Sequence, residues 1–188
     1  HMDVVILFGG SSSERLVSVA SAQNVASLLP DAACWFLSKS GSVHVVSREE
    51  LSAHAKPFEN EFFPKAAATF ASIDAALSDG ATKGKTFLLA LHGGEGENGT
   101  LQARFEKHGV AFTGSGSAAS ARAFDKAVTK TLVGAKGAKL APAHVLEPME
   151  AAALEQKLRA LFDEAPRWVL KPVADGSSVG LFHLTSKE

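Results

Sequence analysis

Four stretches of the chain combine glycines with charged or hydroxyl-bearing side chains, and each begins in or just after an apolar run. They are Phe8–Ser18 (FGGSSSERLVS), Leu89–Gln102 (LALHGGEGENGTLQ), Thr113–Lys130 (TGSGSAASARAFDKAVTK) and Trp168–Gly180 (WVLKPVADGSSVG). Open α/β sheets bind ligands in the crevice beyond the carboxyl ends of their strands. Glycine loops let backbone N–H groups approach such ligands closely. The four stretches therefore predict a site for a small polar or phosphorylated ligand.

The last stretch has the composition of a phosphate-binding loop. Lys171 ends an apolar strand, where we expect it to be partly buried, and a buried ammonium group requires an anionic partner. The following residues Gly176, Ser177, Ser178 and Gly180 supply N–H groups and hydroxyls that suit phosphate oxygens. The alternative is a lysine at a sheet edge followed by an ordinary hairpin turn.

The second stretch places a histidine at the end of a strand. His92 follows an apolar run and precedes four glycines in seven residues, while Glu95 and Glu97 bring carboxylates to the same rim. This pattern favours a binding role for His92 over a structural one.

The first stretch is a strand that turns into a helix through Gly9 and Gly10. The glycines and the free N–H groups of the helix start could hold a polar substrate group. The motif lacks the lysine of a P-loop and the spacing of a dinucleotide fingerprint. A glycine turn with Glu14 and Arg15 as ordinary first-turn residues is the other interpretation.

The third stretch contains a G-x-G-x-x-A match to the dinucleotide fingerprint, starting at Gly114. That fingerprint requires an acidic residue about twenty positions later to hold a ribose hydroxyl. Here that region is Gly134–Lys139, which has no acid, and the next one is Glu147. The pattern therefore argues against a nicotinamide or flavin enzyme. Lys126, one step after Asp125 on a helix, could point at a nucleotide or remain solvated.

Alternating strand-like and helix-like segments predict an α/β protein with a mainly parallel sheet in the first half. The predicted strands are Val4–Phe8, Ala33–Leu37, Phe87–Leu91, Ala111–Thr113, His144–Leu146 and Trp168–Leu170, with Val43–Ser47 as a hairpin partner of Ala33–Leu37. A helix capped by Ser12 or Ser13 is expected to run to Pro30, with apolar positions at Val17, Ala20, Val25, Leu28 and Leu29, and a second helix covers residues 151–162. The predicted domains are residues 1–117 and 118–188.

Composition limits the partners. The 19 Lys and Arg nearly balance the 20 Asp and Glu, giving a net charge of −1 without a basic stripe, so nucleic acid is excluded as a partner. The histidines and the single Cys34 show no zinc-site spacing, and Cys34 is expected in the core. No apolar run approaches the length of a membrane span, so we expect a cytoplasmic protein.

In this order, the four stretches resemble the D-alanine–D-alanine ligases of the ATP-grasp superfamily. The residues that carry the resemblance are Gly9–Ser18 (GGSSSERLVS), Leu91–Gly99 (LHGGEGENG), Phe124–Lys126 (FDK), Val169–Pro172 (VLKP) and Gly176–Gly180 (GSSVG). The resemblance implies a Rossmann-like parallel-sheet domain in residues 1–117 and part of an ATP-grasp central α+β domain in residues 118–188. It also implies an enzyme that joins two D-alanines for peptidoglycan synthesis, using ATP and an acyl-phosphate intermediate.

The resemblance also implies residue roles. Glu14 would hold the ammonium group of the first D-alanine together with a network that includes Ser177, and His92 would lie near the reacting carboxylate, with Glu97 ordering that region. The residues expected to bind ATP phosphates are Lys126, Lys171, Gly176, Ser177, Ser178 and Val179.

Family members are longer, and their third domain supplies the ligands for two Mg²⁺ ions. The resemblance therefore implies an N-terminal fragment that is inactive alone, and a homodimer formed through N-terminal domains. Two alternatives stay open: a ligase that takes D-lactate or D-serine as second substrate, and a non-catalytic domain for dimerisation or ligand binding.

Overall fold

A computed structural model describes residues 3–185. They divide into two compact units, and the division falls between Phe124 and Asp125. Unit 1 denotes the residues up to Phe124, and unit 2 those from Asp125 onward. The sequence-based boundary after residue 117 falls earlier, at the start of a helix, and the assignment of these regions to domains stays a prediction.

Unit 1 is built on a five-stranded sheet of order β3-β2-β1-β4-β5. The strands are β1 (Asp3–Gly9), β2 (Ala33–Leu37), β3 (Val43–Val46), β4 (Lys85–Leu89) and β5 (Ala111–Phe112). Strand β1 pairs in parallel with β2 and β4, β4 pairs in parallel with β5, and β3 runs antiparallel to β2. The predicted parallel sheet and the predicted hairpin are both confirmed.

Six α-helices and one short 3₁₀ helix accompany this sheet within the described part of unit 1. They are α1 (Arg15–Leu28), α2 (Arg48–Ala53), α3 (Ile73–Ser78), α4 (Gly94–Glu97), α5 (Thr100–His108) and α6 (Ser117–Phe124), with the 3₁₀ helix at Gly80–Thr82.

The core lies on both faces of the sheet because side chains alternate along a strand. Val5 and Leu7 of β1 belong to one buried cluster, whereas Ile6 and Phe8 belong to another. A strand buried on both faces has no polar positions, which explains the unbroken apolar run at the start of the sequence. Cys34 is buried as expected, and this burial raises the pKa of its thiol.

The first helix departs from the prediction in its cap and in its buried face. Its N-cap is Glu14, which makes no side-chain cap, rather than Ser12 or Ser13. The buried positions of α1 are Ser18, Val19, Ala22 and Ala26, while Leu28 is exposed. The predicted apolar stripe is confirmed at Val25 and Leu29, which pack against the core cluster, but the fully buried positions are smaller residues, which let this helix pack closely on the sheet.

Unit 2 contains α7 (Lys126–Gly134), α8 (Ala151–Leu161) and a two-stranded antiparallel sheet of β6 (Trp168–Leu170) and β7 (Phe182–Leu184). The predicted helix at 151–162 and the strand at 168–170 are confirmed. The strand predicted at His144–Leu146 was wrong, since residues 138–150 form no helix or strand. Pro142 and Pro148 flank that run and cannot donate to a sheet ladder.

Candidate functional site

Two loops of unit 1 meet at the carboxyl edge of the sheet. Strands β1 and β4 are parallel neighbours with Leu7 beside Leu89, so the segment after Gly9 and the segment after Leu89 leave the sheet at the same edge. These segments carry Glu14 and His92, two of the residues predicted for the substrate site.

Glu14 lies directly against Gly93. A Cβ placed on Gly93 would come within 2.5 Å of Glu14 Oε2, and the φ of Gly93 is +67°, so an L side chain here would be strained and would displace the carboxylate. Gly93 therefore provides the space in which the half-buried Glu14 side chain lies beside the backbone that follows His92.

Two serines join the first loop to the second. The fully buried Ser18 hydroxyl accepts from the Gly9 N–H (2.8 Å) and donates to the Ala90 carbonyl (2.6 Å). Ser12 Oγ accepts from the Glu14 N–H (3.1 Å) and donates to the His92 carbonyl. These bonds fix the backbone of Glu14 relative to that of His92.

The His92 imidazole is held by the first helix. Its Nε2 lies 2.8 Å from Ser21 Oγ on α1, and its side chain is half-buried. The ring is therefore tied to the helix that begins just after Glu14.

Gly9 has a structural role that differs from the predicted one. A Cβ on Gly9 would lie 2.4 Å from the Leu37 carbonyl, at a φ of +103°, and the next N–H, of Gly10, donates to the same carbonyl at 2.8 Å. This glycine lets β1 end against β2, so its close approach is to the protein's own backbone.

Glu97 lies at a cavity of about 400 Å³ that Glu14 and His92 do not line. The cavity is also lined by Gln102, whose buried Nε2 donates to the Gly96 carbonyl (2.6 Å), and by Gly114 and Ser115. Gln102 thus fixes the backbone between Glu95 and Glu97. The structure brings Glu14 and His92 together, and it places the exposed Glu97 farther along the same loop.

In unit 2, Lys126 holds the strand-to-loop connection of the predicted phosphate loop. Its Nζ donates to the Asp175 carbonyl (2.5 Å) and to the Val173 carbonyl (3.4 Å), and its N–H donates to the Val173 carbonyl (3.0 Å). The start of α7 is thereby attached to the chain immediately before Gly176.

The loop itself has an unusual backbone. Ser177 and Ser178 have φ values of +50° and +60°, and Gly180 has +67°. Successive residues in such conformations turn their N–H groups toward one side, and concave arrangements of this kind bind anions. Asp175 Oδ1 accepts the Gly176 N–H (2.8 Å) and the Gly176 carbonyl accepts the Val179 N–H (3.0 Å), which stabilises the turn.

Lys171 is exposed, so the predicted partial burial was wrong. The strand that it follows belongs to a sheet of only two strands, which cannot cover the lysine stem. Within residues 3–185, no ion pair or hydrogen bond engages its ammonium group.

Among residues 3–185, no three His, Cys, Asp or Glu side chains are grouped so that they could hold a metal ion. None of the helices in the same range is both long and apolar enough to cross a bilayer.

The polar contacts at the sheet edge were not foreseen from the sequence. Ser12, Ser18, Ser21 and Gln102 each look like ordinary polar residues in a helix or loop. The only local signal was that Ser18 and Ser21 lie on α1 one turn apart, so they share a face.

Comparisons with known proteins agree with this architecture. A sequence profile described as "D-ala D-ala ligase N-terminus" matches residues 3–115. A D-alanine–D-alanine ligase of Gluconobacter oxydans (strain 621H) is 36% identical over 180 residues, which cover 96% of this chain and 48% of that protein. One from Rhodopseudomonas palustris (strain BisB18) is 32% identical over 182 residues, covering 97% of this chain and 47% of that protein.

A solved structure extends the likeness to three dimensions. The D-alanine–D-alanine ligase of Coxiella burnetii matches with a TM-score of 0.76 and 25% identity, covering 100% of this chain and 57% of that chain. This likeness confirms the predicted fold class, an α/β structure with a mainly parallel sheet that matches the ATP-grasp fold of these ligases. The chain spans about half the length of the curated relatives it matches.

Proposed function

This chain belongs to the D-alanine–D-alanine ligase family, and from that premise we propose that the whole protein joins two D-alanines with ATP. In the proposed reaction, the carboxylate of the first amino acid takes the γ-phosphoryl group of ATP and ADP leaves. The amine of the second amino acid then attacks the acyl phosphate, and inorganic phosphate and a proton are released. The product, D-alanyl-D-alanine, serves peptidoglycan synthesis. We propose that this 188-residue chain, which matches about half of the relatives' length, is inactive alone.

One observation carries the proposal: the Glu14 carboxylate lies against Gly93, at the edge of the sheet where His92 is held by Ser21. A half-buried carboxylate next to a side-chain-free backbone suits a small cation such as the ammonium group of an amino acid. His92 is proposed to bind an oxygen of the reacting carboxylate, and Glu97 to order the loop that follows.

ATP would be held in this proposal by residues of unit 2. Lys126 and Lys171 would offset phosphate charge, and the loop of Gly176, Ser177, Ser178 and Val179 would donate N–H groups and hydroxyls. The positive φ values of Ser177 and Ser178 and the anchoring of the loop entrance by Lys126 fit such a cradle. When bound, ATP supplies the phosphoryl group; the task of these side chains is to bind and orient it, and Ser177 is proposed to join the network around Glu14.

Mg²⁺, a homodimer and a cytoplasmic location belong to the same proposal. Phosphoryl transfer from ATP normally requires Mg²⁺, whose carboxylate ligands we assign to the part of the relatives that this chain does not match. ATP as co-substrate is the reason for a cytoplasmic location.

The test is a coupled ADP-release assay with D-alanine, ATP and Mg²⁺ on the protein at the full length of its relatives. Glu14→Gln removes the charge that pairs with the substrate ammonium group, and loss of one such hydrogen bond, about 1.5–3 kcal/mol, should raise the KM for the first D-alanine at least about tenfold. Glu49→Gln, an exposed glutamate on α2, is the matched control and should change nothing.

Unchanged kinetics in Glu14→Gln would remove Glu14 from the site. The same assay with D-lactate or D-serine in place of the second D-alanine decides the second substrate. Sustained ADP release by residues 1–188 alone would contradict the proposed inactivity of this half.

A further inference from the structure

We propose that Ser21 is a positioning residue that fixes the proton of neutral His92 on Nδ1, so that His92 serves the site as a hydrogen-bond donor. The inference rests on the proposed function for the identity of the acceptor, which is an oxygen of the reacting carboxylate. The placement of the proton on the ring follows from contacts within unit 1 alone.

The Ser21 hydroxyl has an unusual partner for a serine inside a helix. A serine inside a helix usually donates to the carbonyl three or four residues earlier, as Ser27 does to Asn24 in the same helix (2.6 Å). Among the described residues 3–185, Ser21 Oγ instead has His92 Nε2 as its one hydrogen-bond partner, at 2.8 Å. Within residues 3–185, the ring nitrogen is therefore the one atom placed to accept the hydroxyl proton.

This contact determines the tautomer of His92 that we propose. A hydroxyl that donates to Nε2 requires an unprotonated Nε2, and in a neutral imidazole the proton then resides on Nδ1. No residue between positions 3 and 185 forms a hydrogen bond with Nδ1 of His92. The Nδ1–H group is therefore a donor that the protein leaves to a ligand.

Hydrogen bonds of Ser12 and Ser18 hold the backbone around His92 in place. Ser12 accepts from the Glu14 N–H and donates to the His92 carbonyl, and Ser18 ties Gly9 to Ala90. The backbone of His92 is thus held by Ser12, and its ring by Ser21 on the helix that follows Glu14. A donor fixed in this way costs little reorganisation when an anionic oxygen arrives.

The experiment measures the ring nitrogens directly. The 188-residue chain is labelled with ¹⁵N-histidine, and two-dimensional spectra that correlate ring nitrogens with ring protons are recorded at about pH 8.5, above the ordinary imidazole pKa. His92→Gln identifies the signals of His92 among the seven histidines. The expected wild-type spectrum shows protonated Nδ1 and unprotonated Nε2.

Ser21→Ala should lower the ratio of the Nδ1–H to the Nε2–H form about two- to tenfold, since one neutral hydrogen bond is lost. Ser21→Thr keeps the hydroxyl and should restore the ratio. Ser27→Ala removes a hydroxyl from the same helix without touching His92, and should leave the spectrum of His92 unchanged. A wild-type His92 protonated on Nε2, or a ratio that Ser21→Ala does not alter, would overturn the inference.

The full-length protein separates this inference from the proposed function. If both hold, Ser21→Ala lowers kcat/KM by the same two- to tenfold and Ser21→Thr recovers it. An expected tautomer in a protein without ligase activity would overturn the proposed function and leave the role of Ser21 intact. If the full-length protein is an active ligase but Ser21→Ala leaves the tautomer unaltered, the role of Ser21 is overturned and the proposed function stands.

Discussion

The two units of the chain differ in how fully their sheets are covered. In unit 1, the central strand β1 has a neighbour on each side and a buried cluster on each face. In unit 2, a two-stranded sheet carries the predicted phosphate loop, and none of the residues from Asp125 to Thr185 is buried. Large apolar side chains stay exposed there: Val128, Leu132, Val133, Leu140, Val145, Val169, Val173, Val179 and Phe182.

This contrast separates two ways of building a site. Glu14 and His92 belong to loops that leave a well-packed sheet. Their positions therefore follow from strand pairing and from the hydrogen bonds of three serines, Ser12, Ser18 and Ser21. The loop at Gly176–Gly180 depends on local hydrogen bonds and on Lys126, because a two-stranded sheet is marginally stable in water. We therefore expect unit 1 to be rigid alone and unit 2 to open readily.

Amide hydrogen exchange should show the largest difference. Amides of β1 and β4 should exchange only through global unfolding, whereas amides of β6 and β7 should need only a local opening. For a unit of ordinary stability, exchange should be slower in β1 than in β6 by at least about a thousandfold. Equal protection in the two sheets would contradict the contrast.

A matched pair of phenylalanine truncations should show the next largest effect. Phe87 is fully buried in β4, and Phe182 is 61% exposed in β7. Phe87→Ala should destabilise unit 1 by about 3–5 kcal/mol through the cavity it leaves, and Phe182→Ala should change the stability of unit 1 by less than about 0.5 kcal/mol.

The chain's two tryptophans allow this measurement. Trp35 packs at 5.3 Å from the ring of Phe87 in unit 1, and Trp168 lies in β6 of unit 2. Urea unfolding followed by fluorescence in a Trp168→Phe background therefore reports unit 1 alone. Similar losses from both truncations would mean that the stability of unit 1 depends on the apolar surface of unit 2.

The same contrast explains what the sequence predicted well. Strand β1 is apolar at every interior position because both of its faces are buried, so its run was unambiguous. The parallel sheet followed from alternation of strands and helices, and the β2–β3 hairpin from its short turn. These features depend on local pattern, which a single sequence contains.

Other features depend on contacts between distant parts of the chain. Strand β7 is three residues long and exists through its pairing with β6, so no local pattern marked it. The apolar run at 144–146 has the pattern of a strand. Its flanking prolines lack the backbone N–H groups that strand pairing requires, and the run forms no strand. Ser18 and Ser21 form hydrogen bonds with residues about 70 positions away, and their spacing on α1 does not predict which residues these are. The convergence of Glu14 and His92 was predicted by family resemblance rather than by spacing.

The smallest effect should be a loss of stability at low pH, and this loss should be confined to unit 1. Asp74 on α3 accepts a hydrogen bond from His108 (3.0 Å) and pairs with Arg104, both on α5. The hydrogen bond from His108, followed by the charges of Arg104 and Lys107, lowers the pKa of Asp74 below its ordinary value of 3.8. A lowered carboxyl pKa stabilises the folded state above the ordinary value, and that stabilisation is lost as the pH falls through the lowered one.

Asp74→Asn should therefore lower the urea midpoint of the Trp35 transition at neutral pH, and the gap to the wild type should close as the pH falls below 3.8. The gap should be small because a third of the Asp74 side chain is exposed and water screens the pair. Asp31→Asn, an exposed aspartate of unit 1 with no such partner among residues 3–185, is the control and should leave the midpoint unchanged at every pH. A shift of the Trp168 transition in Asp74→Asn would show that the packing of α3 on α5 is transmitted to unit 2, against the independence that the difference in burial predicts.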